Sequence, residues 1–148
     1  MVDQKGAVLV ERNEVAVIYR PCDDNPEAMG PAWEELEAAV GLRGRKFFGT
    51  FDRSTGEYRV CAELRDHDDP ETLGLQVATL PGGWYLRLRL EGEPPGIYER
   101  IGPSFDTLTS QADADPTRPS IECYRRRNVI DLLLPVRKHP VMQPGQRG

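Results

Sequence analysis

Two patterns recur along the chain: short strand-like runs, and apolar residues at helical spacing. The first half of the chain contains both. The segment VAVIYR, residues 15 to 20, is rich in β-branched and aromatic residues and predicts a strand. A helix should follow, because Asn25 can cap it and Pro26 suits its first position, although Pro31 leaves open a later start. Apolar residues then recur at helical spacing on one face: Met29, Trp33, Leu36 and Val40.

Two strands and a tight connection are predicted after this helix. RKFFGTF and EYRVCAEL flank DRSTG, whose Ser, Thr and Gly are typical of a short hairpin loop. The polar stretch RDHDDPETLG separates this half from GWYLRLRL, which alternates strictly. One side of that strand carries Tyr85, Arg87 and Arg89, and the other side carries Leu86, Leu88 and Leu90. Such alternation predicts a half-buried strand.

The second half repeats the order of the first. Ile97, Ile101, Phe105 and Leu108 have helical spacing, with a possible interruption at Gly102 and Pro103. The loop SQADADPTRP leads to two final strands, SIECYR and NVIDLLLPV. Each half therefore reads strand, helix, strand, strand, a repeat of pattern without obvious residue identity.

This order predicts an α+β fold. We expect two pseudo-symmetric units, at about residues 7–66 and 80–137, to share a curved antiparallel sheet with a ligand groove between the two helices. A single domain would then cover residues 1–137. The polar stretch at residues 138–148 is predicted to be a disordered tail.

The groove would be rich in aromatic residues. The helical segments supply Trp33, Tyr98 and Phe105, and the strands supply Phe48, Tyr58, Tyr85 and Tyr124. Ordinary core packing is the competing interpretation for about half of them, since strand register decides which side chains face the groove.

Glu122 is the candidate charged group of the groove. In PSIECYRRR it shares its side of the strand with Tyr124, opposite Ile121 and Cys123. An ionised carboxylate in an apolar cleft is costly unless it is partnered, and a cationic ligand can supply the partner. The alternative is that Glu122 pairs with Arg87 or Arg89 on a neighbouring strand.

Composition and charge narrow the classes of function. With 148 residues, 39% hydrophobic and 29% charged, the chain is neither disordered nor membrane-like in composition. It has no secretory signal pattern, which predicts a cytoplasmic protein. A net charge of −5 argues against nucleic acid binding, and Arg125–Arg127 is interpreted as a solvated hairpin tip.

No cofactor or metal is expected. Three cysteines without Cys-x-x-Cys spacing, namely Cys22, Cys61 and Cys123, predict neither a disulfide framework nor a metal site. The acidic stretch DHDD, residues 66 to 69, is explained as a solvated linker, because no second cluster of ligands accompanies it.

Three motifs stand out along the chain: FFGTF followed by YRVCAEL, then LPGGWYL, and PSIECY followed by IDLLLPV. Together they resemble the GyrI-like small-molecule-binding domain, which is also the effector-binding part of some AraC-type and MerR-type regulators. The resemblance extends over nearly 120 residues, and it rests on the order and spacing of the motifs.

The resemblance implies a groove between the helices with Glu122 at its floor, where the family's Glu meets cationic or polar parts of ligands. Aromatic residues would then provide area and stacking: Trp33, Phe48, Tyr58, Tyr85, Tyr98, Phe105 and Tyr124. The implied function is multidrug-type binding of bulky hydrophobic, often cationic aromatic compounds for sequestration or sensing. We expect a stand-alone form, since Met1 lies only about a dozen residues before the first confident strand.

Two departures from the family pattern leave other functions open. FDTLTSQ lacks the Trp that the family often has near the end of the second helix, and EGEPPGIYERIGPSF carries extra Pro and Gly. The first alternative function is hydrolysis of reactive electrophilic small molecules with Glu122 as general base. The second is binding of a protein partner, as in family members that inhibit gyrase.

Overall fold

The computed structural model of the protein describes residues 6–137, so the predicted tail at residues 138–148 lies outside the described residues. The strands are β1 (Ala7–Arg12), β2 (Val15–Asp23), β3 (Phe47–Asp52), β4 (Glu57–Glu63), β5 (Gln76–Leu80), β6 (Gly83–Glu91), β7 (Ser120–Arg126) and β8 (Val129–Pro135). The helices are α1 (Pro26–Val40), α2 (Pro70–Leu73), α3 (Gly96–Glu99) and α4 (Ile101–Gln111). Within this range no helix combines the length and apolar character needed to cross a membrane.

All eight strands form one antiparallel sheet in the order β1-β6-β8-β7-β3-β4-β2-β5. The order is symmetric about its centre, where β3 of the first unit pairs with β7 of the second. Outwards from this junction, each unit has the second strand of its hairpin (β4 or β8), then the strand before its helix (β2 or β6), and then an edge strand (β5 or β1). The predicted α+β fold with two pseudo-symmetric units is confirmed.

Helix α1 begins at Pro26, which settles the question of its start. Asn25 accepts a hydrogen bond from the backbone N–H of Ala28 at 2.8 Å, so the predicted cap is present. Pro31 lies inside the helix and removes one backbone donor there. The cap and the buried face that contains Leu36 outweigh this loss.

The second helical segment is divided, but at a different place from the predicted interruption. α3 ends at Glu99 and α4 begins at Ile101, so the break lies at Arg100. Pro103 is the third residue of α4, where a backbone N–H would have no partner within the helix, and proline is therefore tolerated.

Three elements were not predicted from the pattern. Strands β1 and β5 form the two edges of the sheet, and α2 occupies part of the stretch interpreted as a polar linker. β5 has only five residues, most of them exposed, so it shows little hydrophobic periodicity. Hydrogen-bonded pairing of β1 with β6 and of β5 with β2 defines these two edge strands, which the local pattern does not predict.

The face of the sheet opposite the helices is also buried. Its core consists of Val17, Tyr19, Phe48, Cys61, Leu80, Tyr85, Ile121, Cys123 and Leu133. Val10 of β1 and Ala78 of β5 pack against this same cluster, although they come from opposite edges of the sheet. Contacts from both edges to one cluster require a strongly curved sheet.

The helices cover only the outer parts of the other face. α1 packs on β2 and β4, and α4 packs on β6 and β8. Leu36 of α1 and Leu108 of α4 are each almost fully buried in separate clusters. The central strands β3 and β7 lie between the two helices, so their side chains form the floor of a cleft.

Candidate functional site

The cleft over β3 and β7 has a volume of about 1240 Å³, enough for a drug-sized molecule. β3 and β7 contribute Phe47, Phe51, Ser120, Glu122 and Tyr124, and Tyr58 reaches in from β4. On the side of α1 lie Pro26, Met29, Gly30, Trp33 and Glu37. On the side of α3 and α4 lie Tyr98, Ile101, Gly102, Phe105, Asp106 and Thr109.

Glu122 lies in the floor of the cleft and is 8% exposed. The hydroxyls of Tyr58 and Tyr124 both donate to its Oε1, at 2.7 Å and 2.5 Å. Within residues 6–137, no Lys, Arg or His forms an ion pair with this carboxylate, and Oε2 accepts no hydrogen bond. The carboxylate is thus held through one oxygen by two neutral donors.

The tyrosine and carboxylate contacts depend on Gly49. This residue lies opposite Glu122 in the β3–β7 register. A Cβ added to it would overlap the Tyr58 hydroxyl and lie 2.7 Å from Oε1 of Glu122. Glycine at this position therefore creates the space in which the phenol meets the carboxylate.

Burial raises the pKa of Glu122 above its ordinary value, and the charge of Asp24 adds to the increase. Hydrogen bonds from Tyr124 and Tyr58 favour the ionised form and oppose this change, but burial has the larger effect. Burial, together with the nearby carboxylate, holds the pKa of both tyrosines well above their usual range. Both phenols therefore remain protonated donors at neutral pH.

Substituting Glu122 with glutamine should stabilise the empty protein at pH 8, by on the order of 1 kcal/mol. A carboxyl with a raised folded-state pKa binds more protons when folded, so its contribution to stability falls as pH rises from about 4.5 through the raised pKa. Thermal unfolding of both proteins at pH 5 and pH 8 measures this effect. The Tm advantage of Glu122→Gln should be larger at pH 8, and an equal difference at both pH values would contradict it.

Six of the eight sequence-predicted ligand residues lie around this cleft: Trp33, Tyr58, Tyr98, Phe105, Glu122 and Tyr124. Phe48 and Tyr85 do not, since both are buried on the opposite face of the sheet. Phe48 pairs with Cys123, whose parity is opposite to that of Glu122. The Tyr85 hydroxyl donates to the carbonyl of Pro81 at 2.5 Å. These two residues therefore belong to the core and not to the cleft.

The alternative pairing of Glu122 with Arg87 or Arg89 is wrong. Arg89 donates to both carboxylate oxygens of Asp131, at 2.7 Å and 3.0 Å. Strand alternation places Arg87 and Arg89 on the same face as Tyr85, away from the cleft.

Phe47, Phe51 and Met29 line the cleft but were not selected from the sequence. Phe47 packs edge-on against Trp33 with ring centroids 6.4 Å apart, and Trp33 meets Tyr124 at 5.3 Å. The sequence signal that could have identified Phe47 and Phe51 is strand parity, because residues 47, 49 and 51 of FFGTF share a face. That face could be recognised as the floor only through the pairing of β3 with β7.

The acidic stretch at residues 66–69 has a structural contact. Asp68 accepts two hydrogen bonds from Arg45, at 2.8 Å and 3.1 Å, and these lower the pKa of its carboxyl. Among residues 6–137, no group of three His, Cys, Asp or Glu side chains is arranged to hold a metal ion.

Solved structures share this architecture. An integron cassette protein from Vibrio cholerae has a TM-score of 0.72 at 18% identity, over 90% of this chain and 97% of that one. The protein SAV2435, bound to tetraphenylphosphonium, has a TM-score of 0.64 at 13% identity, over 89% and 94%. A hydrolase from Listeria innocua has a TM-score of 0.57 at 12% identity, over 88% and 91%. No protein-family model matches the sequence, and no curated protein matches it significantly.

These likenesses define the class of fold: an α+β domain with helices over a curved antiparallel sheet and a cleft between them. This is the fold of the GyrI-like effector-binding domains, as the three sequence motifs indicated. One protein with this fold, SAV2435, is bound to a cationic compound.

Proposed function

We propose that this protein binds bulky hydrophobic cations in the cleft, for sequestration or sensing. The observation that carries the proposal is the Glu122 carboxylate. It is buried in an aromatic cleft, its Oε2 accepts no hydrogen bond within residues 6–137, and no cationic side chain pairs with it there. A lipophilic cation would supply the missing opposite charge.

Aromatic side chains around the carboxylate support the same class of ligand. Trp33, Phe105 and Tyr98 are on the two helical sides of the cleft, and Tyr98 is 47% exposed. Aromatic faces attract cations by about 0.5 to 2 kcal/mol each, most strongly where water is excluded. The rings also supply apolar area, which favours large ligands with delocalised or shielded charge over small, strongly hydrated ions.

The direct test compares two molecules of nearly the same shape and opposite charge. Tetraphenylphosphonium and tetraphenylborate would each be titrated into the protein by calorimetry at pH 8 and pH 5. We expect the cation to bind tighter at pH 8 and to lose affinity at pH 5, where Glu122 is more protonated. Equal binding of the two ions would contradict charge selection, and tighter binding of the borate would overturn it.

Removing one phenol should shift the pH dependence of cation binding. The hydrogen bonds from Tyr58 and Tyr124 lower the pKa of Glu122, so Tyr58→Phe and Tyr124→Phe should each raise it further. Affinity for tetraphenylphosphonium should fall severalfold at neutral pH and recover at higher pH. Tyr19→Phe is the matched control, because its hydroxyl bonds Gln76 and its ring belongs to the opposite core. A pH profile identical to the wild type in both cleft variants would contradict the prediction.

Hydrolysis of electrophilic small molecules is the second candidate. Oε2 of Glu122 accepts no hydrogen bond from the described residues, and this oxygen and the raised pKa of the carboxyl suit a general base that activates water. The fold likeness to the hydrolase from Listeria innocua adds only that such chemistry is compatible with the fold.

Turnover distinguishes this candidate from simple binding. A panel of activated esters and epoxides would be incubated with the wild type and Glu122→Gln at pH 8, with product followed by mass spectrometry. Catalytic turnover that disappears in Glu122→Gln would favour the hydrolase. Binding without turnover would leave sequestration or sensing as the function.

A further inference from the structure

The cleft has two ends that differ in charge. Strand β7 runs along its floor from Ser120 to Arg126, and its partner β3 runs the other way, with Phe51 opposite Ser120 and Phe47 opposite Tyr124. The end beyond Tyr124, where the β7–β8 hairpin turns, is called the arginine end.

Arg125, Arg126 and Arg127 all line the arginine end. The prediction that this run occupies a hairpin tip is confirmed, since β7 ends at Arg126 and β8 begins at Val129. The same residues also border the cleft, which the sequence did not indicate. Glu37 is the acidic side chain that lines the cleft on the C-terminal half of α1, so positive charge predominates at this end.

The opposite end has no such excess. Asp24 and Arg53 line it and balance in formal charge, and Asp106 of α4 adds one further negative charge to the lining. Asp24 lies two residues before the start of α1, and Arg53 directly follows β3, so the course of the chain places both at the Ser120 end. The field along the cleft therefore increases in positive potential from this end towards the arginine end.

Of the three arginines at the arginine end, Arg126 is the one most available to a ligand. Arg125 contacts Asp131 at 3.6 Å and Arg127 contacts Glu93 at 3.9 Å. Within residues 6–137, Arg126 forms neither an ion pair nor a side-chain hydrogen bond, and its side chain is exposed. A planar guanidinium in this state can bind a carboxylate or phosphate through two parallel hydrogen bonds.

The spacing sets the size of a ligand that can use both groups. Glu122 and Arg126 are four residues apart on one strand, so their α-carbons are about 13 Å apart. The register of β7 with β8 shifts between Tyr124 and Arg126, so the strand is irregular at this point. A simple lipophilic cation would occupy only the region of Glu122 and would meet repulsion towards the arginine end.

From this arrangement we propose that the ligand class is amphoteric: an aromatic or hydrophobic cation at Glu122 that carries an anionic group, bound by Arg126 at the arginine end. The inference rests on the proposed function and adds a second recognition element to the same cleft. The anionic group is a carboxylate, sulfonate or phosphate on a linker long enough to reach along β7.

Triphenylphosphonium probes test this proposal. (Carboxydecyl)triphenylphosphonium and its methyl ester differ only in the anion, and the carboxybutyl acid and ester form a short-linker pair. We expect the long acid to bind about fivefold tighter than its ester at low salt, because a charge-assisted hydrogen bond is gained. The short pair should show little difference, and added salt should reduce the preference of the long pair.

Two variants identify the partner of the anion. Arg126→Gln should abolish the preference for the long acid and leave the affinity of the ester unchanged or slightly improved. Arg65→Gln is the charge-matched control, since Arg65 is an arginine outside the cleft lining that pairs with Glu63 on the surface. It should retain the preference of the wild type.

The outcomes separate this inference from the proposed function. If the esters bind but the long acid has no advantage, or if its advantage persists in Arg126→Gln, the amphoteric ligand class is overturned and cation binding stands. If neither acids nor esters bind, the proposed function itself fails, and the inference fails with it.

Discussion

Substituting Glu122 with glutamine is expected to lower the affinity for tetraphenylphosphonium about 10- to 100-fold at pH 8, the range expected when one charged partner is lost. Glutamine keeps the shape of the side chain and an oxygen that both phenols can donate to, so the cleft should remain intact. Affinity for tetraphenylborate should rise or stay the same. Calorimetric titration of both ions measures the loss of charge selection.

The matched control for this substitution is Glu34→Gln. Glu34 lies on α1 with an exposed side chain that does not line the cleft, so the variant removes the same formal charge without touching the floor. It should bind tetraphenylphosphonium nearly as the wild type does, because distant surface charges are screened. If both variants lose affinity equally, the effect belongs to net charge and Glu122 is not the cation's partner.

Gly49→Ala should destabilise the protein by about 2 to 4 kcal/mol, a large effect for a single methyl group. The added Cβ would overlap the Tyr58 hydroxyl, and Tyr58 is 1% exposed, so the ring has little room to move. Thermal unfolding should show a Tm lowered by roughly 5 to 15 °C. The phenol contact with Glu122 would be disturbed as well, so cation binding should weaken.

Two further variants test whether overlap with the Tyr58 hydroxyl causes the loss of stability in Gly49→Ala. Gly30→Ala adds the same methyl group inside α1, where no atom other than those of its chain neighbours lies within 4 Å of the new Cβ, and should change stability by less than about 1 kcal/mol, because crowding against the following Pro31 opposes the gain in helix propensity. Combining Gly49→Ala with Tyr58→Phe removes the overlapped hydroxyl, so the double variant should be more stable than the sum of the single changes predicts. Strict additivity would show that the Tyr58 hydroxyl is not the obstacle.

Stability and binding are opposed at the floor of this cleft. The same burial that raises the pKa of Glu122 makes its ionised form costly in the empty protein and valuable to a cation. A variant that is more stable but binds cations poorly is the expected signature of a residue retained for a ligand.

Strand parity was sufficient to predict part of the site. Glu122 and Tyr124 are two residues apart, so any strand through this segment places them on one face. The capping pattern at Asn25 and the proline at Pro26 likewise predicted a start for α1, and the structure excluded the later start that Pro31 had left open. These features depend on the local chain alone, whatever surrounds it.

Tertiary pairing decided which face becomes the cleft. Phe47 and Phe48 are adjacent in sequence and alike in composition, yet one lines the cleft and the other belongs to the opposite core. Parity places them on different faces, but only the β3–β7 register shows which face holds Glu122. The burial of Tyr85 was decided in the same way, since both faces of this curved sheet have a core.

The sequence by itself thus determined the order of the main elements, the shared face of Glu122 and Tyr124, and the likeness to GyrI-like domains. The tertiary structure alone decided the edge strands, the break at Arg100, the contact of Tyr58 with Glu122, and the position of the arginine run beside the cleft. The physical reason is range: periodicity and capping act within a few residues, whereas register and curvature join residues that are far apart in the chain.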